Sequence, residues 1–152
     1  MLIKIDDIQS TPAVLALISL HVAEINRMVN SCGVLDVSSL QASNVTFYSA
    51  WECYELMGIG ALKELSPTHG EVKSMRTAAP HFRKGVGRAI VEHLVNAAKE
   101  RGYSRLSLET GKDASFESAR DFYTNMGFEF CDPYGELPPC PDSSFMTLEL
   151  DN

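Results

Sequence analysis

Leu2 to Asp6 alternates apolar and polar residues, which predicts an opening strand. Thr11-Pro12 then supplies a cap residue and a first-turn proline. Leu15, Ile18, Val22, Ile25 and Val29 follow at helical spacing, so a helix is predicted to about Asn30, with Gly33 closing it. A short helix is expected around Ser38 to Ala42. Val45 to Trp51 is β-branched and aromatic, and Tyr54 to Leu62 resumes after Glu52-Cys53, as the second arm of a hairpin would. Pro67 to Gly70 reads as a turn and Glu71 to Thr77 as a third strand of the same meander, ended by Pro80.

Beyond that point strands and helices alternate. Gly85 to Arg101 carries Val86, Ile90, Leu94, Ala97 and Ala98 on one helical face and stops at Gly102. Ser104 to Glu109 alternates again. Ser115 can cap a further helix with Phe116, Ala119, Phe122, Tyr123 and Met126 on its apolar side, closed by Gly127. Phe128 to Phe130 and Phe145 to Leu150 complete the strands, joined by a proline-rich loop from Pro133 to Pro141. The order β-α-(α)-β-β-β-α-β-α-β-β predicts an α+β or mixed α/β fold. No repeat or low-complexity linker divides the chain, so residues 1–152 are expected to form a single domain.

A chain of 152 residues buries about 70% of its unfolded surface when folded. Its 13 Lys and Arg against 20 Asp and Glu give a net charge of −7, which argues against a nucleic-acid partner. The longest apolar run, Ala13 to Leu20, is interrupted by Ser19 and falls short of the ~18 residues of a membrane span. Met1 to Asp7 lacks a basic region before an apolar one, so a cytoplasmic protein is expected. Cys32, Cys53, Cys131 and Cys140 have no ligand-like spacing to one another or to the histidines, which favours reduced thiols over disulfides and no metal.

The segment His81 to Ala89 is the most informative. Gly85 and Gly87 stand where a basic stretch, Arg83-Lys84, enters the long helix that also carries Arg88. Helix N-termini leave backbone N–H groups unpaired and carry about half a positive charge, so this is a candidate cradle for a diphosphate. Three readings compete here. One is a plain helix entry with solvated cations. Another is a dinucleotide loop, which Ile90 spoils by standing where a third glycine belongs. The last is a coenzyme A pyrophosphate loop.

The whole chain favours the last, because it resembles the GNAT superfamily of coenzyme-A-dependent N-acetyltransferases. The family loop (Gln/Arg)-x-x-Gly-x-(Gly/Ala) is matched by Phe82-Arg83-Lys84-Gly85-Val86-Gly87 except at its first place. A second family signature, a helix with Ala four residues before a Tyr and then Gly-Phe, is matched by Ala119 to Phe128. The strings from Lys73 to Ala78 and from Leu106 to Gly111 look like those of a largely uncharacterised bacterial branch. The resemblance implies a twisted, mostly antiparallel central sheet flanked by helices, with acetyl-CoA as cosubstrate. It places Met75, Arg76, Thr77, Phe82, Arg83, Lys84, Gly85, Val86, Gly87, Arg88 and Tyr123 against that cosubstrate. Phe116 stands where the family often has Asn.

The implied reaction moves an acetyl group to a primary amine of a small molecule or peptide by direct attack. An alkyl amine of pKa near 10.4 must lose a proton first. The oxyanion needs donors, which the family takes from the splayed strand, here Met75-Arg76-Thr77. The departing thiolate needs a proton, and Tyr123 occupies the family's position for giving it. Glu71 and Glu109, at strand ends facing the thioester, are the candidates for the base, with a water chain as another; His21 is a lesser candidate, and His81 reads as structural. Glu24, Asp36, Asp132, Glu136 and Asp142 frame the acceptor side and either favour a cationic amine or merely keep an acidic protein soluble. A silent acyl-CoA-binding module is the alternative to an enzyme. Such folds often form homodimers, though no segment marks an interface.

Overall fold

The computed structural model describes residues 1–28, 37–135 and 139–151. Among them run β1 (Leu2–Ile5), α1 (Pro12–Met28), β2 (Val45–Glu52), β3 (Glu55–Ser66), β4 (His69–Thr77), α2 (Val86–Glu100), β5 (Arg105–Gly111), α3 (Glu117–Asn125), β6 (Glu129–Cys131) and β7 (Ser143–Glu149). Short 3₁₀ turns at Val37–Gln41, Ala79–His81 and Ala114–Phe116 connect them. The strands form one seven-stranded sheet in the order β1-β2-β3-β4-β5-β7-β6. Every neighbouring pair is antiparallel except β4 and β5. The α+β fold expected of a GNAT protein is the one observed.

Local chemistry explains most boundaries. Thr11 caps α1, its Oγ1 accepting the N–H of Val14 at 3.2 Å. The β2–β3 hairpin turns through Cys53 and Tyr54, both at positive φ, the geometry of a tight two-residue connection. Strand β4 begins two residues earlier than expected, so His69 and Gly70 belong to it and not to the turn. Asp113, not Ser115, supplies the cap ahead of α3, accepting the Ser115 N–H at 2.9 Å. The predicted end of the first helix at Asn30 and its stop at Gly33 lie outside the described residues, as do Cys32, Asp36 and Glu136. Cys140 is disulfide-bonded, which corrects the expectation of reduced thiols for that residue; Cys53 and Cys131 are free. Sequence spacing is silent on such pairing because the fold, not the interval, brings sulfurs together.

Two apolar cores cover the two faces of the sheet. On one side α2 and α3 bury Val86, Ile90, Val91, Leu94 and Tyr123 with Leu106, Leu108 and Met146. On the other, α1 packs Val14, Leu17, Ile18 and Val22 over Phe47, Ile59 and Ala61. The buried stripe of α1 therefore differs from the predicted one. Val14, Leu17 and His21 face inward, while Leu15 is 41% exposed. Close contact between α2 and the sheet depends on Gly60 of β3, where a Cβ would lie 2.8 Å from both Ile90 and Met75. No helix among the described residues is long and apolar enough to cross a membrane.

Candidate functional site

The parallel pair β4–β5 is registered only at His69↔Arg105, Gly70↔Leu106 and Glu71↔Ser107. Past Glu71 the two strands part, β4 staying on β3 to Thr77 and β5 staying on β7 to Gly111. A gap lined by unpaired backbone opens between them. Strand β4 also holds an extra residue. Three steps from Lys73 to Arg76 face two steps from Ala61 to Ile59, and Ser74 takes the strain at φ 54. Before this bulge, Glu71 and Lys73 face the α1 side; after it Arg76 does, while Met75 packs into the α2 core.

The backbone pattern at the gap follows from one contact. Ala78 N–H donates to Met57 O at 2.9 Å. In an antiparallel ladder only alternate residues bond across, so Arg76 also turns its N–H toward β3, whereas Met75 and Thr77 turn theirs toward the gap. The Arg76 side chain is engaged elsewhere, donating to Glu24 of α1, and that hydrogen bond, with the guanidinium charge behind it, holds the Glu24 carboxyl below the usual range.

At the mouth of the gap the 3₁₀ turn Ala79–His81 leads into the glycine loop. Arg83 at φ 64 and Gly85 at φ 79 alternate with residues in ordinary conformations, the alternation that gathers successive N–H groups into an anion-binding concavity. Nothing lies within 4 Å of a Cβ built on Gly85, so its requirement is conformational rather than steric. Ala89 N–H donates to Gly85 O at 3.0 Å and starts the ladder of α2, which leaves the N–H groups of Val86, Gly87 and Arg88 without intrahelical partners. The loop cations are not equivalent. Lys84 Nζ lies on His81 Nδ1 at 3.2 Å, and Arg88 pairs with Glu92 at 3.3 Å. Arg83 makes no ion pair among the described residues. Phe82 is 57% exposed, and buried His81 sits 3.1 Å from Glu55, out of hydrogen-bonding alignment.

Tyr123 reaches this region from the α2 side. Its neighbour Phe122 lies 3.4 Å from where a Gly87 Cβ would be, which docks α3 against the first turn of α2. The Tyr123 ring meets Phe122 and Phe128 edge-on at 5.0 and 5.5 Å, and burial raises its pKa above the ordinary phenol value. The phenol is therefore protonated at neutral pH, as an acid must be.

Glu71 lies on the opposite face and is 7% exposed. Tyr134 of the β6–β7 connection donates to Glu71 Oε2 at 2.6 Å, and Lys73 Nζ stands 3.5 Å from Oε1. Two residues along β5 from Ser107, its register partner, Glu109 is exposed and has no hydrogen-bond partner among the described residues. His69 Nε2 bonds Ser107 Oγ at 2.7 Å beside them. His21 is buried nearby on α1, and burial with the Arg76 charge lowers its pKa to about 4. An imidazole that weakly basic is a poor acceptor for an ammonium proton. A cavity of about 510 Å3 lies under the β6–β7 connection against Phe130, Pro133 and Phe145 rather than in the gap.

Glu71 and Tyr123 occupy opposite faces of one sheet, so a single ligand meets both only through the β4–β5 gap. Sequence reasoning found both residues but not Tyr134, Lys73 or His69. The first lies in a stretch legible only as a proline-rich loop, and the last in a segment that reads as a turn.

A helix mouth with unpaired N–H groups, opening onto a sheet whose parallel strands part, is the arrangement an acyl-coenzyme-A-using transferase requires. The particular family follows from comparison: residues 17–128 match the Acetyltransferase (GNAT) family. The chain is 47% identical to the uncharacterized N-acetyltransferase YsnE of Bacillus subtilis, over 99% of this chain and 100% of that one. It belongs to the GNAT family and is an acetyl-CoA-dependent N-acetyltransferase. Among solved structures, a Klebsiella pneumoniae protein assigned as an acyl-CoA N-acyltransferase superposes with a TM-score of 0.81 at 24% identity, over 99% and 97% of the two chains. A GNAT acetyltransferase of Elizabethkingia anophelis, solved with acetyl-CoA bound, gives 0.74 at 19% identity over 98% and 97%.

Proposed function

We propose that this protein acetylates a primary amine of a small molecule or peptide by direct attack within a ternary complex. One observation carries the reading: a buried carboxylate and a buried phenol lie on opposite faces of the sheet that parts between β4 and β5. The left-handed loop residues and the free N–H groups of Val86, Gly87 and Arg88 fit the diphosphate of acetyl-CoA, with Arg83 adding its unpaired charge. That cosubstrate supplies an activated acetyl group as a thioester; the solved Elizabethkingia relative holds it.

Glu71 takes the proton that keeps the amine unreactive. The amine nitrogen then bonds to the acetyl carbon while Met75 and Thr77 offer N–H groups to the carbonyl oxygen, and the carbon–sulfur bond breaks. Tyr123 gives its proton to the departing thiolate and regains one from the new amide nitrogen, and Glu71 sheds its proton to water before the next turnover, so protons and charge balance. Glu109, exposed and unpartnered, serves the acceptor's entry better than its deprotonation.

Thiol release from acetyl-CoA across polyamines, amino sugars, amino acids and arylalkylamines tests this, with CoA binding followed by calorimetry. Tyr123→Phe should lower kcat by about 10²-fold and leave the affinity for CoA unchanged. Unchanged turnover would remove Tyr123 from the reaction; absence of CoA binding heat would remove the cradle.

A further inference from the structure

The connection from β6 to β7 does more than close a hairpin. β6 is the last strand of the sheet, yet Tyr134, three residues beyond Cys131, reaches back over β7 and β5 to meet Glu71 on β4. Its ring lies edge-on between two others. His69 is 5.4 Å away at 66° and Phe145 is 5.4 Å away at 83°. The His69 ring is itself fixed by Ser107, whose Oγ also bonds Thr147 Oγ1 at 2.8 Å. Tyr134 thus stands on a platform contributed by three strands, with its hydroxyl aimed at one carboxylate oxygen.

The two oxygens of Glu71 are treated differently. Oε2 accepts the 2.6 Å bond from Tyr134. Among the described residues Oε1 faces only the Lys73 ammonium at 3.5 Å, too far for a strong charge-assisted bond. A buried carboxylate with one oxygen clamped cannot rotate freely, and its second oxygen keeps a fixed direction. We propose that Tyr134 is a positioning residue that clamps Glu71 through Oε2 so that Oε1 points at the acceptor amine. The inference rests on Glu71 being the base. Burial and the negative charge of Glu71 raise the Tyr134 pKa, which keeps its hydroxyl a donor throughout the catalytic range. Misplacing a reacting group by about 1 Å can cost of order 10²-fold in rate, so loss of the clamp should show in kcat.

The test is a double-mutant cycle on thiol release from acetyl-CoA with the same amine panel, using Tyr134→Phe, Glu71→Gln and the pair. Phenylalanine keeps the ring between His69 and Phe145 and removes only the hydroxyl. Tyr134→Phe should lower kcat about tenfold with the KM for acetyl-CoA unchanged, and should cost nothing further in the Glu71→Gln background. A tenfold loss that persists in the Glu71→Gln background would show a merely structural role and overturn the proposal. So would full activity of Tyr134→Phe beside an inactive Glu71→Gln, which leaves the base standing. Full activity of Glu71→Gln would instead remove the base, and the clamp with it.

Discussion

Replacing His21 by leucine should change how the protein responds to acid. His21 is 8% exposed, and its Nδ1 has no partner among the described residues. Burial and the neighbouring Arg76 charge lower its pKa from 6.5 to about 4, with Glu24 opposing. In the unfolded chain the imidazole takes up its proton near its ordinary pKa of 6.5; in the folded chain it stays neutral until about pH 4. Between those limits the unfolded state binds more protons, so stability is complete above pH 6.5 and is lost as the pH falls. At about 1.36 kcal/mol per pKa unit the whole loss is about 3 kcal/mol, and about 2 kcal/mol of it has gone by about pH 5. Leucine removes both the titration and the unpaired nitrogen at similar volume. Urea unfolding of both proteins at about pH 7.5 and about pH 5 should show the wild type losing about 2 kcal/mol more than the variant. Carboxylates such as Glu24 titrate in both, so only the difference between the two losses counts. Equal losses would refute the reasoning, because His21 would then be protonated in the folded protein.

Other perturbations follow from the loop and the packing. Arg83→Glu should weaken CoA binding by about tenfold or more in calorimetry, and more than Lys84→Glu, whose lysine is already held by His81; the reverse order would mean that Lys84 leaves His81 for the phosphates. Gly60→Val should cost about 1–3 kcal/mol in urea unfolding, since the new side chain meets Ile90 and Met75; no loss would show that α2 can lift without penalty. Asp113→Ala should cost about 1 kcal/mol by the same assay through loss of its bond to Ser115 N–H, with Ser115→Ala nearly neutral.

What could be read from the letters was local. The glycine loop is written in six consecutive residues because a helix entry needs particular backbone at fixed intervals. Strand and helix order came from periodicity. Periodicity failed on α1, where Ala13 to Leu20 is apolar nearly all round and offers no unique face; packing chose Val14, Leu17 and His21 and left Leu15 in water. It failed again at Ser74, since an extra residue in a strand leaves no mark in its own sequence and shows only against the partner strand. The contact of Tyr134 with Glu71 joins residues 63 positions apart and depends on the order of strands in the sheet. Glu71 was visible as a strand-end carboxylate, but what holds it was not.

The irregularity at Ser74 makes adjacent positions of β4 answer to different masters. Met75 fills a slot in the oily layer under α2, and Arg76, one step on, reaches out to an acid on the far helix. Were β4 to run through Ser74 as a regular strand, with no bulge to absorb the extra residue, the two would exchange berths and a guanidinium would be driven into a space shaped for a thioether. The kink at Ser74 thus sorts the later side chains of β4 between the two layers of the protein.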